Sequence, residues 1–497
     1  MRFKKFFLHF GRGVEIDNSV AKDNNKEIES QQQFRPEQGS QWLQFIAAIS
    51  ACLAVIACGG HLGWTSPALP HLTDPSIEGS ITKSQGAWVV TLYTIGAIIG
   101  SLISPLCIDR LGRKYSLLIL AAPQLVGWCL IIFATNVEML YAARLIAGIG
   151  HGGIYNVTVI YLAEIADKNI RGALGTFLKM STNIGTLFVT TLGAYFPYGK
   201  LNLISLSIPF LFIVVFIFMP ETPYFYLIKN RVPEAEKSLM VLRRLKNAES
   251  VREDIEVMRS AVEEGKRSKK NLLVELVRTR GNRRALLILL GLKATQQFSG
   301  HIVVVAYTQE IFAQSGSTLP AAQAVVILGV FQLVAGILAA ALVDRLGRRI
   351  LMLVSGLSSS IALIAVGIFF YLKYSVHMDV SSITWLPIAA LIAYDVMEVF
   401  GIGTLPYVLL GELFPTNVKG TAVASGILVG AVFATLVGLS FQAMNSALGI
   451  HWTFWIFAIC CTLGTLFVYF ITPETKGKSL EEIQRELNPQ KIFTIKH

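Results

Sequence analysis

Asp109-Arg110-Leu111-Gly112-Arg113-Lys114 closes one long apolar run of this 497-residue chain, and Asp344-Arg345-Leu346-Gly347-Arg348-Arg349 closes another 235 residues later. Two further pairs follow in the same order. Glu164 stands seven residues before Arg171-Gly172, and Glu412 seven before Lys419-Gly420. Pro220-Glu221-Thr222 has its counterpart in Pro473-Glu474-Thr475. Ordered matches at offsets of 235, 248 and 253 identify a duplicated block rather than chance recurrence.

Around these marks the chain is 53% hydrophobic and only 15% charged, where soluble domains carry about 25% charge. Twelve apolar segments have roughly the 20 residues a helix needs to cross a hydrocarbon core of about 30 Å. They run over 42–63, 87–108, 115–134, 139–163, 173–195, 202–219, 285–309, 322–343, 350–371, 385–410, 421–444 and 452–471. Backbone groups in hydrocarbon must be satisfied within the segment, so each is read as a helix. The expected fold is an all-α membrane protein of two six-helix halves, 42–219 and 285–471. Between them, 220–284 carries most of the charge. Its runs 233–246 and 250–264 alternate charge with Leu, Val, Ile and Met at helical spacing and are read as short amphipathic helices. The tails, 1–41 and 472–497, are polar and read as cytoplasmic, the first as disordered.

The net charge of +11 raises the question of nucleic acid, which the placement of the charges excludes. Of 43 Lys and Arg, 37 fall in the tails and the loops of one face. Lys83, Lys200 and Lys373 lie in loops of the other, and Arg144, Lys179 and Lys293 lie inside spans. This asymmetry places both termini in the cytoplasm. All six cysteines sit in spans, so neither a structural disulfide nor a metal site is expected from them. No Gly-x-x-x-x-Gly-Lys-Ser/Thr loop is present, so ATP is not the energy source, and no cofactor is expected.

Polar residues inside the spans mark the candidate site. In the fifth span Lys179, Thr182, Asn183, Thr186 and Thr190 share one helix face. In the seventh, Lys293, Gln296, Gln297, Gly300 and His301 form another stripe. Polar groups in hydrocarbon are costly, so both stripes are expected to face a wet cavity, though helix-helix hydrogen bonding would use the same residues. Gln296, Gln297, Asn183 and Gln332 can donate and accept at once, as a polyol requires, and Tyr407 offers a stacking face. Lys179, Lys293, Asp395 and Glu398 are ionisable groups at membrane depth. Mutual pairing, binding of an anionic solute by the lysines, and snorkelling to an interface are the three accounts of them. His61 and His301 are candidate proton carriers or plain packing residues. Arg144 is read as an interface anchor near Glu138, and Gly148, Gly150, Gly152 and Gly153 as points of close helix approach.

The six-plus-six repeat resembles the major facilitator superfamily, and the motifs resemble its sugar-porter branch over about residues 42–487. They include Tyr161-Leu-Ala-Glu164-Ile, Pro220-Glu-Thr-Pro223, Gln296-Gln297-Phe298-Ser299-Gly300 and Pro473-Glu-Thr-Lys-Gly477. Gly63-Trp64-Thr65-Ser66-Pro67 is similar to the insect facilitated trehalose transporters and their hexose-carrying relatives. The resemblance implies a monomeric plasma-membrane carrier, not an enzyme, that moves a hexose or a disaccharide such as trehalose by alternating access. It also implies that Arg113, Arg171, Arg348 and Lys419 meet Glu164, Glu221, Asp344, Glu412 and Glu474 in a latch joining the halves in the outward-facing state. The site departs from the family pattern. Lys179 stands where members carry Gln, Ile302 where they carry Asn, and Gly403-Thr404-Leu405-Pro406-Tyr407 replaces Gly-Pro-x-Pro-Trp. Gly430 and Ala431 stand where glucose carriers often place Asn and Trp. The first span holds no Asp or Glu, which favours uniport over proton symport. A sugar sensor that does not transport is the reading from another class.

Overall fold

A computed structural model describes residues 40–167, 171–245, 247, 249–268, 272–414, 416–478 and 480–487. The expected N-terminal tail lies outside them apart from residues 40 and 41. The side chains of Arg171, Asp344 and Lys419, all assigned to the latch, also lie outside the description.

The described residues form helices joined by short turns, without a strand. The first half comprises α1 (Trp42–Gly63), α2 (Thr65–Leu72), α3 (Lys83–Leu111), α4 (Arg113–Ile132), α5 (Val137–Ile165), α6 (Arg171–Tyr195) and α7 (Tyr198–Phe216). Four linker helices follow: α8 (Pro223–Ile228), α9 (Val232–Arg243), α10 (Glu249–Ser268) and α11 (Leu272–Arg278). The second half comprises α12 (Arg280–Phe298), α13 (His301–Ser315), α14 (Ala321–Leu346), α15 (Arg348–Tyr374), α16 (Leu386–Phe400), α17 (Leu405–Leu413), α18 (Thr416–Leu448) and α19 (Ile450–Ile471), and α20 (Leu480–Leu487) ends the described chain. Local chemistry sets several starts. Thr82 and Gln85 close a reciprocal capping box on α3, Asn136 caps α5 at 2.9 Å, and Thr279 caps α12 at 3.1 Å.

Ten spans among the described residues are long and apolar enough to cross a membrane. The remaining two are α6, diluted by the polar stripe around Lys179, and span seven, which the break at Gly300 divides into a 15-residue α13 and an α12 that carries Arg280, Arg283, Arg284 and Lys293. Three expected spans are not single smooth helices. Span one continues past Trp64 into α2, span seven breaks at Gly300, and span ten breaks over residues 401–404. Gly300 adopts a φ of +88°, and a Cβ there would stand 2.6 Å from the Phe457 ring, so both backbone freedom and space require glycine.

Within the first half α5 packs on α3 and α4, and α1 packs on α6 and α7; within the second, α15 packs on α16 and α19. Large apolar side chains such as Leu106, Phe210, Ile361 and Leu463 face outward. A shell of that extent belongs in hydrocarbon. The halves meet through α3 against α18, α6 against α14, and α2 against α13. Among the described residues the hydrogen bonds and the ion pair across this seam lie away from the linker helices. They are Thr435 Oγ1 to Thr94 Oγ1 (2.8 Å), Gln309 N to Ser66 Oγ (3.3 Å) and Lys83 to Glu310 (3.7 Å). An apolar cluster of the second half also takes in Leu69 and Val90 of the first. The molecule is therefore fastened on the face opposite the linker.

Candidate functional site

A cavity of about 150 Å³ lies between the halves. Tyr93, Thr94, His151 and Tyr155 line it from α3 and α5, Lys179 and Thr182 from α6, and Gln296, Gln297 and His301 from span seven. Tyr407 of α17 and Gly430 and Ala431 of α18 complete the opposing wall. The rings of Tyr155 and Tyr407 meet across the seam at 6.4 Å between centroids.

Of the six residues read as substrate contacts, four face this space and two do not. Asn183 and Gln332 are buried elsewhere, and Gln332 turns to Asp395. Gln296 lines the cavity, but its amide is committed to the protein. Its nitrogen donates to the Gly403 carbonyl (2.7 Å) and its oxygen accepts from Lys293 Nζ (3.0 Å). Gln296 therefore bridges the breaks of spans seven and ten. Gln297, one residue on, has no such tether among the described residues. The threonine stripe divides in the same way. Thr182 faces the cavity, whereas Thr186 donates to Gly59 O (3.1 Å) and Thr190 to Thr186 O (2.9 Å) within the packed interior.

The pairing expected of Lys179 and Lys293 with Asp395 and Glu398 is not made among the described residues. Lys293 instead places its ammonium 3.3 Å from the centroid of the Tyr407 ring, beside Gln296. Gly430 lies beside its stem, where a Cβ would sit in ordinary contact, 3.4 Å from Lys293 Cδ. Glu398 faces His301.

Arg144 is corrected outright. It is 1% exposed, not an interface anchor. Its guanidinium donates to Val89 O (3.0 Å) and His61 O (2.8 Å) and stands over the rings of Tyr93 (4.4 Å) and Trp64 (5.3 Å). His61 is buried with Nε2 3.2 Å from Gln124 O, stacked on Trp128. Tyr93, His151 and Tyr155 were not singled out from the sequence. The available signal was the i, i+4 spacing of His151 and Tyr155 along α5, masked by the glycines around them; Tyr93 on α3 had no such partner.

At the linker face the duplicated motifs build two copies of one device. Gly112 and Gly347 adopt φ of +89° and +93°, which turns the next two backbone N–H groups onto a carboxylate. Glu221 accepts from Arg113 N (3.1 Å) and Lys114 N (3.0 Å), and Glu474 from Arg348 N and Arg349 N (both 3.0 Å). Arg113 pairs with Glu164 (2.7 Å) and Arg348 with Glu412 (3.1 Å). Thr222 and Thr475 donate to those same glutamates. Each glycine is required twice, because a Cβ at Gly112 would lie 2.4 Å from Glu221 Oε2. Burial raises the Glu221 carboxyl above its ordinary range, against its amide donors. At Glu474 burial acts the same way, but four amide donors together outweigh it and hold that carboxyl low. All these contacts lie within a half. The linker is tied to the first half as well, through Arg243 to Asp167 (2.9 Å), and Arg243 also joins α9 to Asp254 of α10.

Residues 20–487 match the family described as "Sugar (and other) transporter". The chain belongs to this sugar transporter family. It is 36% identical over 447 residues to the facilitated trehalose transporter Tret1 of Bombyx mori, covering 90% of this chain and 87% of that one. The Aedes aegypti Tret1 is 34% identical over 90% of this chain, which spans 55% of that longer protein. The sugar transporter fold is shared with the inward-open xylose transporter XylE of E. coli, at a TM-score of 0.73 and 23% identity over 89% of this chain and 99% of that one. XylE bound to 6-bromo-6-deoxy-D-glucose gives 0.71. Like its family, the chain is a membrane transporter and not an enzyme.

Proposed function

We propose that this transporter carries a neutral hexose or disaccharide, trehalose being the type, down its gradient across the plasma membrane. It acts as a monomer with both termini in the cytoplasm. The observation that carries this reading is the cavity at the seam, lined by the untethered Gln297 amide and by the paired Tyr155 and Tyr407 rings. Amides that donate and accept, with aromatic faces, suit a polyol. The acid-free α1 supports uniport.

The two linker-face devices supply the bias between states. With the seam fastened on the opposite face, their charges stay within each half; in the outward-facing state they meet across it. A shift of ~1 kcal/mol between two states changes their ratio about fivefold. Glu412→Gln and Arg113→Ala are therefore expected to change initial uptake several-fold while surface biotinylation stays near wild type. Normal uptake in both would leave these charges as loop anchors only.

Uptake of radiolabelled trehalose and glucose into proteoliposomes tests the main reading. Counts should equilibrate, not accumulate, and a protonophore should leave them unchanged. Gln297→Ala should lower uptake about 5- to 150-fold, the value of one hydrogen bond in a desolvated site at about 1–3 kcal/mol. Unchanged uptake in Gln297→Ala would remove the residue from the site. A second reading has its own observation: Lys179 faces the cavity without an ion pair among the described residues. Stronger competition by glucuronate than by glucose would assign the cavity to an acidic sugar.

A further inference from the structure

Behind the cavity wall lies a group of side chains that sugar binding does not use. Asp395 and Glu398 stand one turn apart on one face of α16, 1% and 0% exposed. His301 begins α13, directly after the break at Gly300, and its ring also lines the cavity. The ligand atoms of the three residues all lie within 4.8 Å of one another, and His301 Nδ1 is 3.6 Å from Glu398 Oε1. Both Glu398 oxygens, Asp395 Oδ1 and His301 Nδ1 are buried without a hydrogen bond among the described residues. Three such residues with unpartnered buried atoms gathered together are costly unless something sits among them, because buried polar groups otherwise find partners. The two nearby lysines do not fill that place: Lys293 is engaged by Gln296 and Tyr407, and Lys179 makes no ion pair among the described residues.

We propose that His301, Asp395 and Glu398 form a binding site for a divalent transition-metal ion of the zinc type, which clamps α13 to α16. One imidazole with two carboxylates is a mixed nitrogen and oxygen set suited to zinc and its neighbours rather than to calcium or magnesium. Bonds of about 2.0–2.2 Å place donor atoms about 3–4 Å apart, so the 3.6 Å pair fits as it stands and the widest pair closes by a few tenths of an ångström per donor. The ion reaches the site past His301 from the cavity and keeps its open position on that side. Its effect follows from what it joins. Gln297 precedes the break of span seven, and Tyr407 follows the break of span ten. Fixing α13 to α16 holds the second-half wall of the cavity in one arrangement and slows transport. The positive charge of Lys179 acts on Asp395 and His301 through space and opposes the ion.

The test uses the full-length chain, purified without a polyhistidine tag and titrated with zinc chloride in competition with a chelating dye. The wild type should bind an ion that His301→Ala and Glu398→Gln lose, with affinity lowered at least about tenfold. His71→Ala and His377→Ala, on the surface, should keep it, and Lys179→Gln should bind it more tightly. Cobalt chloride should give a visible absorption band that is absent in His301→Ala. Zinc should inhibit sugar uptake by the wild type and do so at least about tenfold more weakly in His301→Ala. If Glu398→Gln does not elute as folded protein, His301→Ala at the cavity edge decides alone. Equal stoichiometry and equal inhibition in wild type and His301→Ala would overturn the site. So would a carrier that binds no zinc at millimolar concentration and loses accumulation on adding a protonophore, which would assign the acids to proton binding.

Discussion

Gly152→Val is expected to leave almost no folded transporter in the membrane. A Cβ at position 152 would stand 1.9 Å from the Ala97 carbonyl oxygen and 2.7 Å from its carbon. Those are backbone atoms of α3, which cannot rotate aside as a side chain would. The seam between α3 and α5 repeats the contact along its length. Gly148 meets Tyr93 O at 2.2 Å, Gly96 meets Leu145 O at 2.2 Å, and Gly100 meets Ile149 O at 2.0 Å. Restoring ordinary contact at Gly152 parts the two helices by ~1.5 Å, at the depth where Tyr93 and His151 line the cavity. Overpacking a core costs about 1–3 kcal/mol where side chains can adjust, and more is expected where backbone must. Gly199→Ala is the control, since a Cβ there meets nothing within 4 Å. Detergent-solubilised protein should show Gly152→Val aggregated and Gly199→Ala monodisperse on size exclusion. A monodisperse Gly152→Val protein with normal uptake would refute the packing account.

Arg144→Ala has the second large effect. The guanidinium links α5 to carbonyls on α1 and α3 and lies against two aromatic rings. Its removal strips Val89 O and His61 O of a donor and opens space beside Tyr93, which itself donates to Cys58 O at 2.9 Å. At about 1.5–3 kcal/mol for each hydrogen bond from a charged donor, losing both costs about 3 kcal/mol or more. Arg144→Lys keeps the charge but lacks the planar fork that reaches both carbonyls, so it should recover only part of the stability. Thermal unfolding in detergent, followed alongside uptake, should rank wild type above Arg144→Lys above Arg144→Ala. Equal midpoints for all three would restore Arg144 to the surface.

These two residues also show where sequence reading stops. Arg144 was placed by depth along its helix, and depth says nothing of rotation about the helix axis. Lys293 and Glu398 were matched by opposite sign, yet one faces Tyr407 and the other His301, because the breaks at Gly300 and at residues 401–404 turn the segments independently. A lone glycine in an apolar run does not announce such a break. Of the linker-face devices only the members were legible, because Arg113, Glu164, Glu221 and their counterparts recur at matched spacing; the glycine turns that bring backbone amides onto Glu221 and Glu474, over a hundred residues away, were not. Gln296 and Gln297 could not be told apart, because neighbouring amides in one stripe differ only in which one the far helix captures.

The paired glycine turns have a mechanical consequence. Each ties its own bundle at the linker face without crossing the divide, so each half is a stiff lever arm. Linker helices α9 and α10 ride on the first arm through Arg243, whereas α11 packs on α12 and α18 of the second. A rocking stroke then costs little strain inside either arm, and the work of turnover falls on the shared surface where α3 meets α18 and α6 meets α14.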